Sequence, residues 1–244
     1  MLRAAARLAR AGSAAVSAAA GLLMLVLLTF GGFALWQDAA VSRGAFAGAE
    51  LLHYKPAVLA ADNPTLAELQ AQNPDVCGWL TLDDTHIDYP VVQGEDDLEY
   101  VNKAADGSFA LSGAVFLSAA NHADLSDAYN LFYGHHMENG AMFGDLTHFS
   151  ESQYFAGHTT GTLYAEGTAY ELQVFACVLT DAYDTVIYTP STDPAALAAY
   201  IRAHAVQYRD PPEGCRIAAF STCDDSRTNG RVAVFAALKG GETE

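Results

Sequence analysis

The chain has 244 residues, of which 51% are hydrophobic and 17% are charged. This length suits one domain of ordinary size with a short additional segment, and the apolar fraction is sufficient for a substantial core. Acidic residues outnumber basic residues by 29 to 12, which gives a formal net charge of −17. A surface this acidic repels phosphate backbones, so the composition argues against nucleic-acid binding.

The N-terminal segment is apolar enough to cross a membrane. Residues 14–36 contain no charged side chain, and a helix of this length spans the ~30 Å hydrocarbon layer of a bilayer. Arg3, Arg7 and Arg10 precede the segment, and the first acidic residue, Asp38, follows it. The positive-inside rule therefore predicts a cytoplasmic N-terminus, with the rest of the chain outside the cell.

A cleaved signal peptide is the alternative interpretation of the same segment. Its most apolar part, residues 21–33, has the length of a signal-peptide core, and residues 47–49 form an Ala-Gly-Ala pattern typical of cleavage sites. That pattern lies well beyond the apolar part, which favours an anchor. Both interpretations export the remainder of the chain.

The sequence predicts three regions: a cytoplasmic tip and anchor over residues 1–36, a stalk over 37–62 and one folded domain over 63–244. The folded domain opens with a helix that has capping-box spacing at Thr65 and Glu68. Runs of apolar and β-branched residues bounded by turn residues then predict about eight short strands. Their expected bounds are 76–82, 85–92, 113–118, 130–134, 161–165, 169–179, 216–221 and 231–238.

Helices in the folded domain are few and short. We expect them near residues 96–103, within 141–154, and over 193–207, the last with Asp193 as its N-cap and Pro194 at its first position. Because the strands do not alternate with helices, a doubly wound parallel sheet is disfavoured. A mainly β fold, a closed or nearly closed barrel with helical insertions, fits the pattern better.

Cysteine usage leaves one candidate for chemistry. Cys77, Cys177, Cys215 and Cys223 form no CxxC pair, and the chain has no P-loop, GxGxxG, HExxH or GxSxG motif. The first three lie in apolar runs and are expected to be small buried hydrophobes, although a bridge between Cys177 and Cys215 stays open. Cys223 instead follows a strand and precedes a polar loop.

Two separated segments carry the residue types that cysteine catalysis needs. The first reads NLFYGHHMENGAMFG and places His135 and His136 directly after a strand. The second reads AFSTCDDSRTNGRVAVF and places Cys223 at the end of one strand and Arg231 at the start of the next. Attack on an amide needs a thiolate, a proton donor for the leaving amine and a partner for the oxyanion. Cys223, a histidine and Arg231 supply these functions in that order.

These segments together resemble the sortase family, and class B in particular. The family pairs a strand-end YGHxM segment with a later TC segment and an arginine-led strand, and this chain has YGHHMENGAMFGDL, STC and RVAV in that order. The earlier stretch NPDVCGWLTLDDTHIDYPVVQG is similar to the family's opening motif. A helix before the cysteine strand is a further class B feature. The similarity extends from Leu66 to Lys239.

The resemblance implies a closed eight-stranded sortase-type barrel and a membrane-anchored cysteine transpeptidase whose domain lies outside the cell. In this chain it implies Cys223 as the nucleophile, His135 rather than His136 as the acid/base, and Arg231 as the oxyanion partner.

Residues around the implied catalytic group are expected to contact substrate. These are Tyr133, Ser221 and Thr222, and the loop over residues 181–191 is expected to form one wall of the substrate groove. Asp225 and Arg227, in the loop after the cysteine, are more simply interpreted as exposed charges.

The implied reaction cleaves the C-terminal sorting signal of a secreted protein after threonine. It then joins that protein to an amine, which is a peptidoglycan cross-bridge or a pilin lysine. No metal or organic cofactor is required. Two alternatives stay open: a cysteine endopeptidase that uses water as the acceptor, and a membrane-anchored module that binds peptides without cutting them.

Overall fold

The computed structural model describes residues 2–46, 49–56, 64–165, 167–223 and 228–240. The chain divides into two units, Met1–Arg43 and Gly44–Glu244. Asp225 and Arg227, whose charges were interpreted as exposed, lie outside the described residues, as do residues 47–48 and 57–62 of the predicted stalk.

The first unit is one helix, α1, which spans Leu2–Gly44. Its section from Arg10 to Ser42 is long and apolar enough to cross a membrane. The helix therefore contains the predicted apolar segment 14–36 and continues into the residues predicted as a stalk.

Within the described residues, the second unit contains nine strands. Their bounds are β1 Val76–Leu82, β2 Asp88–Val92, β3 Val115–Leu117, β4 Tyr129–Tyr133, β5 Thr160–Ala165, β6 Thr168–Asp181, β7 Ala205–Tyr208, β8 Arg216–Cys223 and β9 Gly230–Lys239. The order β5-β1-β2-β3-β4-β8-β9-β6 closes on itself because β6 also pairs with β5. The predicted closed eight-stranded barrel is confirmed, and β7 is an additional short strand on β6.

The remaining helices lie before β1 or in the connections between strands. They are α2 Ala49–Leu52, α3 Pro64–Gln72, α4 Ser152–Gly157 and α5 Pro194–His204, with 3-10 turns at Glu99–Asn102 and Gly144–Ser150. Asp193 caps α5 as predicted, since its carboxylate accepts a hydrogen bond from the Ala196 amide at 2.9 Å.

The helix predicted to end at residue 207 ends at His204 instead. The next four residues, Ala205–Tyr208, form β7, which pairs with an edge of β6 around Cys177. The edge of β6 offers backbone hydrogen bonds that a further, solvent-exposed turn of α5 would not gain. Pairing with β6 therefore overrides the local helical pattern of these residues.

Side chains of β4, β8 and β9 alternate between the barrel interior and its outer surface. Phe132, Phe220 and Val232 point into the main core. Their chain neighbours Leu131, Ala219 and Ala233 belong to a second cluster on the outer surface. This cluster is covered by Ile187, Leu197 and Ile201 from the segment after β6 and from α5. Burial of each of these three side chains stabilises the fold by roughly 1.5–3 kcal/mol.

Candidate active site

The three predicted catalytic residues lie on adjacent elements at one rim of the barrel. β4 runs parallel to β8 with Tyr133 opposite Ser221, and β8 runs antiparallel to β9 with Cys223 opposite Arg231. His135 follows Tyr133 by two residues, as Cys223 follows Ser221. Neighbouring strands are about 4.8 Å apart, so this register brings the three positions to the same level of the barrel wall.

Backbone and hydroxyl contacts continue this register beyond the end of β4. The Gly134 amide donates to the Ser221 carbonyl at 3.3 Å. The Thr222 hydroxyl donates to the Gly134 carbonyl at 2.9 Å. The Gly134 backbone is therefore held against the cysteine strand immediately before His135.

Strand periodicity assigns Cys223 and Arg231 to the outer surface of the barrel. Ala233 belongs to the outer cluster, and Tyr133 packs against that cluster. Side chains two residues apart on a strand share a face, as do directly opposite residues on paired strands. Arg231 and Cys223 therefore share the outer face with Ala233, next to the segment that follows β6.

The imidazole of His135 is held by a backbone carbonyl. Its Nε2 atom lies 2.7 Å from the Val101 oxygen, in the 3-10 turn that precedes β3. A carbonyl oxygen only accepts hydrogen bonds, so Nε2 carries the proton. In the neutral ring, Nδ1 is then the basic atom that can take a proton from a thiol or an amine.

Cys223 differs from the other cysteines in its surroundings. All four thiols are free, so the bridge considered for Cys177 and Cys215 is not formed. Burial raises the pKa of Cys77 and of Cys177 to about 12, and it also raises the pKa of Cys215. Cys223 is exposed, so its sulfur is the one most accessible to a substrate.

Tyr188 joins the elements that carry the candidate residues. Its hydroxyl lies 2.8 Å from the Ser221 hydroxyl, and its ring stacks on Tyr133 at a centroid distance of 6.3 Å. Burial raises the pKa of Tyr188 to about 12. The hydrogen bond with Ser221 and the positive charge of Arg231 lower this pKa, whereas a thiolate at Cys223 raises it further. The hydroxyl is therefore within electrostatic reach of both Arg231 and Cys223.

The residues predicted to contact substrate also have structural contacts. Ser221 and Thr222 are each 2% exposed and are hydrogen-bonded to Tyr188 and to the Gly134 carbonyl. Tyr133 is half-buried between Phe116 and Tyr188. Their contact with substrate stays a prediction.

Sequence reasoning missed two features of this site. The Val101 carbonyl has no sequence signature because any residue supplies one. Tyr188 lies within the predicted groove wall, residues 181–191, but nothing in the local pattern distinguished it from its neighbours.

Comparisons with known proteins agree with the fold and with the motif pattern. A scan against protein-family models finds no match. The chain is 34% identical to sortase B of Listeria monocytogenes over 129 residues, which is 52% of each protein. That alignment therefore spans about half the length of this relative.

Two solved structures match a larger share of their own chains. A Streptococcus pyogenes class B sortase involved in pilus biogenesis is 38% identical, with a TM-score of 0.67 over 71% of this chain and 97% of that chain. A Staphylococcus aureus sortase B–substrate complex is 25% identical, with a TM-score of 0.67 over 73% of this chain and 86% of that one. With the closed barrel and the order of the motifs, these similarities establish that the chain belongs to the class B sortase family.

Proposed function

We propose that the protein is a membrane-anchored cysteine transpeptidase in which Cys223 is the nucleophile, His135 the acid/base and Arg231 the oxyanion partner. The observation that carries this proposal is the strand register, in which Tyr133 pairs with Ser221 and Cys223 pairs with Arg231. Membership of the sortase family supports the same assignment.

The first half of the proposed reaction is acylation. The thiolate of Cys223 attacks the carbonyl carbon of a threonine in the substrate, and the guanidinium of Arg231 stabilises the oxyanion that forms. His135 donates a proton to the amide nitrogen as the carbon–nitrogen bond breaks. The C-terminal fragment leaves as an amine, and a thioester remains on Cys223.

The second half is transfer to an amine acceptor. The acceptor nitrogen attacks the thioester carbonyl, and His135 removes a proton from that nitrogen. Collapse of the tetrahedral intermediate releases the Cys223 thiolate and leaves a new amide bond. Nδ1 is the ring atom suited to this proton transfer, since Nε2 donates to the Val101 carbonyl.

The proposed donor substrates are secreted proteins that carry a C-terminal sorting signal. The proposed acceptor is an amine of a peptidoglycan cross-bridge or the amine of a pilin lysine. Similarity to a class B sortase involved in pilus biogenesis supports the pilin lysine. With a net charge of −17, the chain attracts cationic acceptors and repels anionic ones.

The proposed location is the cell membrane, with the barrel outside. α1 would cross the bilayer once, and Arg3, Arg7 and Arg10 would keep the N-terminus in the cytoplasm.

Product analysis with and without an added amine tests this function. Full-length protein in detergent micelles is incubated with a library of internally quenched peptides that share a fixed threonine, with and without a lysine-containing acceptor peptide. We expect cleavage after threonine and a new amide product that increases with acceptor concentration. Hydrolysis products alone would indicate an endopeptidase, and binding without cleavage would indicate a peptide-binding module.

A further inference from the structure

Asp184, in the segment between β6 and α5, accepts four hydrogen bonds. Its Oδ2 atom accepts from the hydroxyls of Thr180 at 2.6 Å and Tyr200 at 2.7 Å. Its Oδ1 atom accepts from the amides of Val186 at 3.0 Å and Ile187 at 3.2 Å. One carboxylate thus connects the end of β6, the segment itself and the middle of α5.

The segment fixed in this way presents its side chains to the two strands that lead to His135 and Cys223. The Tyr129 hydroxyl of β4 donates to the Ile187 carbonyl at 2.8 Å. Tyr188 follows directly, where its hydroxyl meets Ser221 of β8 and its ring stacks on Tyr133 of β4. Both contacted residues are two positions before a proposed catalytic residue.

The same segment is tied to the third strand of the site. Thr180, which donates to Asp184, lies directly opposite Arg231 in the β6–β9 ladder. Two residues later, the Ala182 amide donates to the Asn229 carbonyl at 2.9 Å, immediately before β9. The segment that Asp184 fixes therefore contacts β4, β8 and the residue before β9, which lie next to the three proposed catalytic residues.

The charge state of Asp184 agrees with this arrangement. Burial alone would raise the pKa of the carboxyl group, but the hydrogen bonds from Thr180, Tyr200 and the two backbone amides outweigh it and lower the pKa. The group is ionised at neutral pH and can accept all four hydrogen bonds at once.

We propose that Asp184 is a positioning residue of the active site, which holds Tyr188 against the strands of His135 and Cys223 so that the peptide groove is preformed. Asp184 acts through Tyr188 and has no chemical role of its own. This inference rests on the proposed transpeptidase function for its kinetic consequences, but its structural consequence can be measured without any reaction.

The structural measurement is amide hydrogen exchange on the full-length protein in detergent. Asp184→Ala removes the acceptor of the Val186 and Ile187 amides, so their exchange should accelerate by at least about tenfold, whereas β8 and β9 stay protected. Asp184→Asn keeps one side-chain oxygen that can accept from these two amides, and its NH₂ group can donate to the hydroxyls of Thr180 and Tyr200. This variant should therefore restore most of the protection of the two amides from exchange. Unchanged exchange in Asp184→Ala would overturn the proposal whether or not the protein is a transpeptidase.

The kinetic measurement uses the best-cleaved threonine peptide from the quenched library. Asp184→Ala should lower kcat/KM by roughly 10- to 100-fold, mainly by raising KM, because misplacement of a positioning group by about 1 Å has effects of this size. Alkylation of Cys223 by iodoacetamide should stay within about twofold of wild type, since the small reagent does not need the groove.

A matched control and a double-mutant cycle separate positioning from general destabilisation. Asp193→Ala removes the N-cap of the same helix with the same charge change but contacts neither Val186 nor Ile187, so it should leave KM unchanged. Asp184→Ala should have little further effect in a Tyr188→Ala background, which lacks both the ring and the hydroxyl that Asp184 is proposed to position. An equal KM effect from Asp193→Ala, or full additivity with Tyr188→Ala, would overturn the proposal.

Discussion

At the scale of single residues, the reactivity of the thiols follows from burial. Cys77 and Cys177 have pKa values raised to about 12 by desolvation, so almost none of either thiol is ionised at neutral pH. Cys223 lies exposed at the end of its strand. The proposed nucleophile can therefore be tested by its reactivity toward thiol reagents, without knowledge of the substrate.

Selective alkylation tests this difference. Brief treatment of the native protein with iodoacetamide at neutral pH should add one carbamidomethyl group, located on Cys223, because the thiolate is the reactive species. Intact-mass and peptide mass spectrometry provide the measurement, with Cys223→Ala as the control. Equal labelling of Cys177 would contradict this account of burial.

Arg231 is proposed to stabilise the oxyanion through the geometry of its guanidinium as well as its charge. Arg231→Lys keeps the charge but not the planar set of donors, so kcat should fall by about 10²- to 10³-fold. Arg216→Lys, at the opposite end of β8, is the matched control and should keep near wild-type activity. Peptide cleavage kinetics provide the measurement, and a wild-type rate for Arg231→Lys would exclude Arg231 from the mechanism.

Single-residue properties were predictable from sequence where residue type determines them. The burial of Cys177 was predicted correctly because apolar runs indicate burial, whereas Cys77 and Cys215, which were also predicted to be buried, are only partly buried. The Val101 carbonyl and the four contacts of Asp184 were not predictable, since each depends on tertiary proximity between segments far apart in the chain.

At the scale of elements, the 3-10 turn Glu99–Asn102 positions His135 through its Val101 carbonyl. Gly113 has a positive φ of 61°, and a Cβ atom there would lie 2.5 Å from that carbonyl oxygen. The close approach requires glycine, because any side chain at this position would displace the acceptor of His135.

Gly113→Ala should therefore lower activity by more than backbone strain explains. Gly107, in the same connection, also has a positive φ, of 85°, but a Cβ atom there would meet only the Lys103 side chain at 3.8 Å. Each substitution costs roughly 1–2 kcal/mol of backbone strain, but only Gly113→Ala should reduce kcat, by about tenfold or more. Comparable kcat values for the two variants would contradict a positioning role for the Val101 carbonyl.

The contribution of Asp184 to the free energy of unfolding should depend on pH in a defined direction. The folded pKa of Asp184 lies below its usual value, so its ionised form stabilises the fold above the unfolded pKa, and this contribution is lost as pH falls through the folded pKa. The free energy of unfolding of wild type should exceed that of Asp184→Asn most at neutral pH, and the difference should shrink below about pH 4. Urea unfolding of both proteins from pH 7 to pH 3 measures this, and a difference that grows in acid would contradict it.

Strands and helices were largely predictable because their periodicity is local. The capped start of α5 was correct since Asp193 and Pro194 are local signals. β7 was missed because its strand character comes from pairing with β6, about thirty residues earlier in the chain, and the pattern of residues 205–208 does not contain that partner.

At the scale of the whole molecule, the chain combines an apolar helix with a closed barrel that has its own core. The barrel unit begins at Gly44, and closure between β5 and β6 leaves few free strand edges for association. The sequence predicted a closed barrel but not the pairing of its strands, because the register that brings β4, β8 and β9 together is set by contacts between distant parts of the chain.

A fragment that starts at Gly44 should therefore fold without α1. We expect it to be soluble without detergent and to unfold cooperatively, because its strands form one closed barrel. Size-exclusion chromatography and thermal circular dichroism provide the measurements. Aggregation, or a broad transition without a folded baseline, would contradict an independent barrel unit.

Intact-mass detection of the acyl-enzyme tests the joint action of residues 135, 223 and 231 most directly. Full-length protein mixed with the best-cleaved threonine peptide and quenched in acid should carry the N-terminal peptide fragment as a thioester on Cys223. Added amine should discharge it with formation of a new amide, and His135→Ala and Arg231→Lys should accumulate far less adduct. An adduct on another residue, or equal accumulation in all three proteins, would contradict a single site formed by these residues.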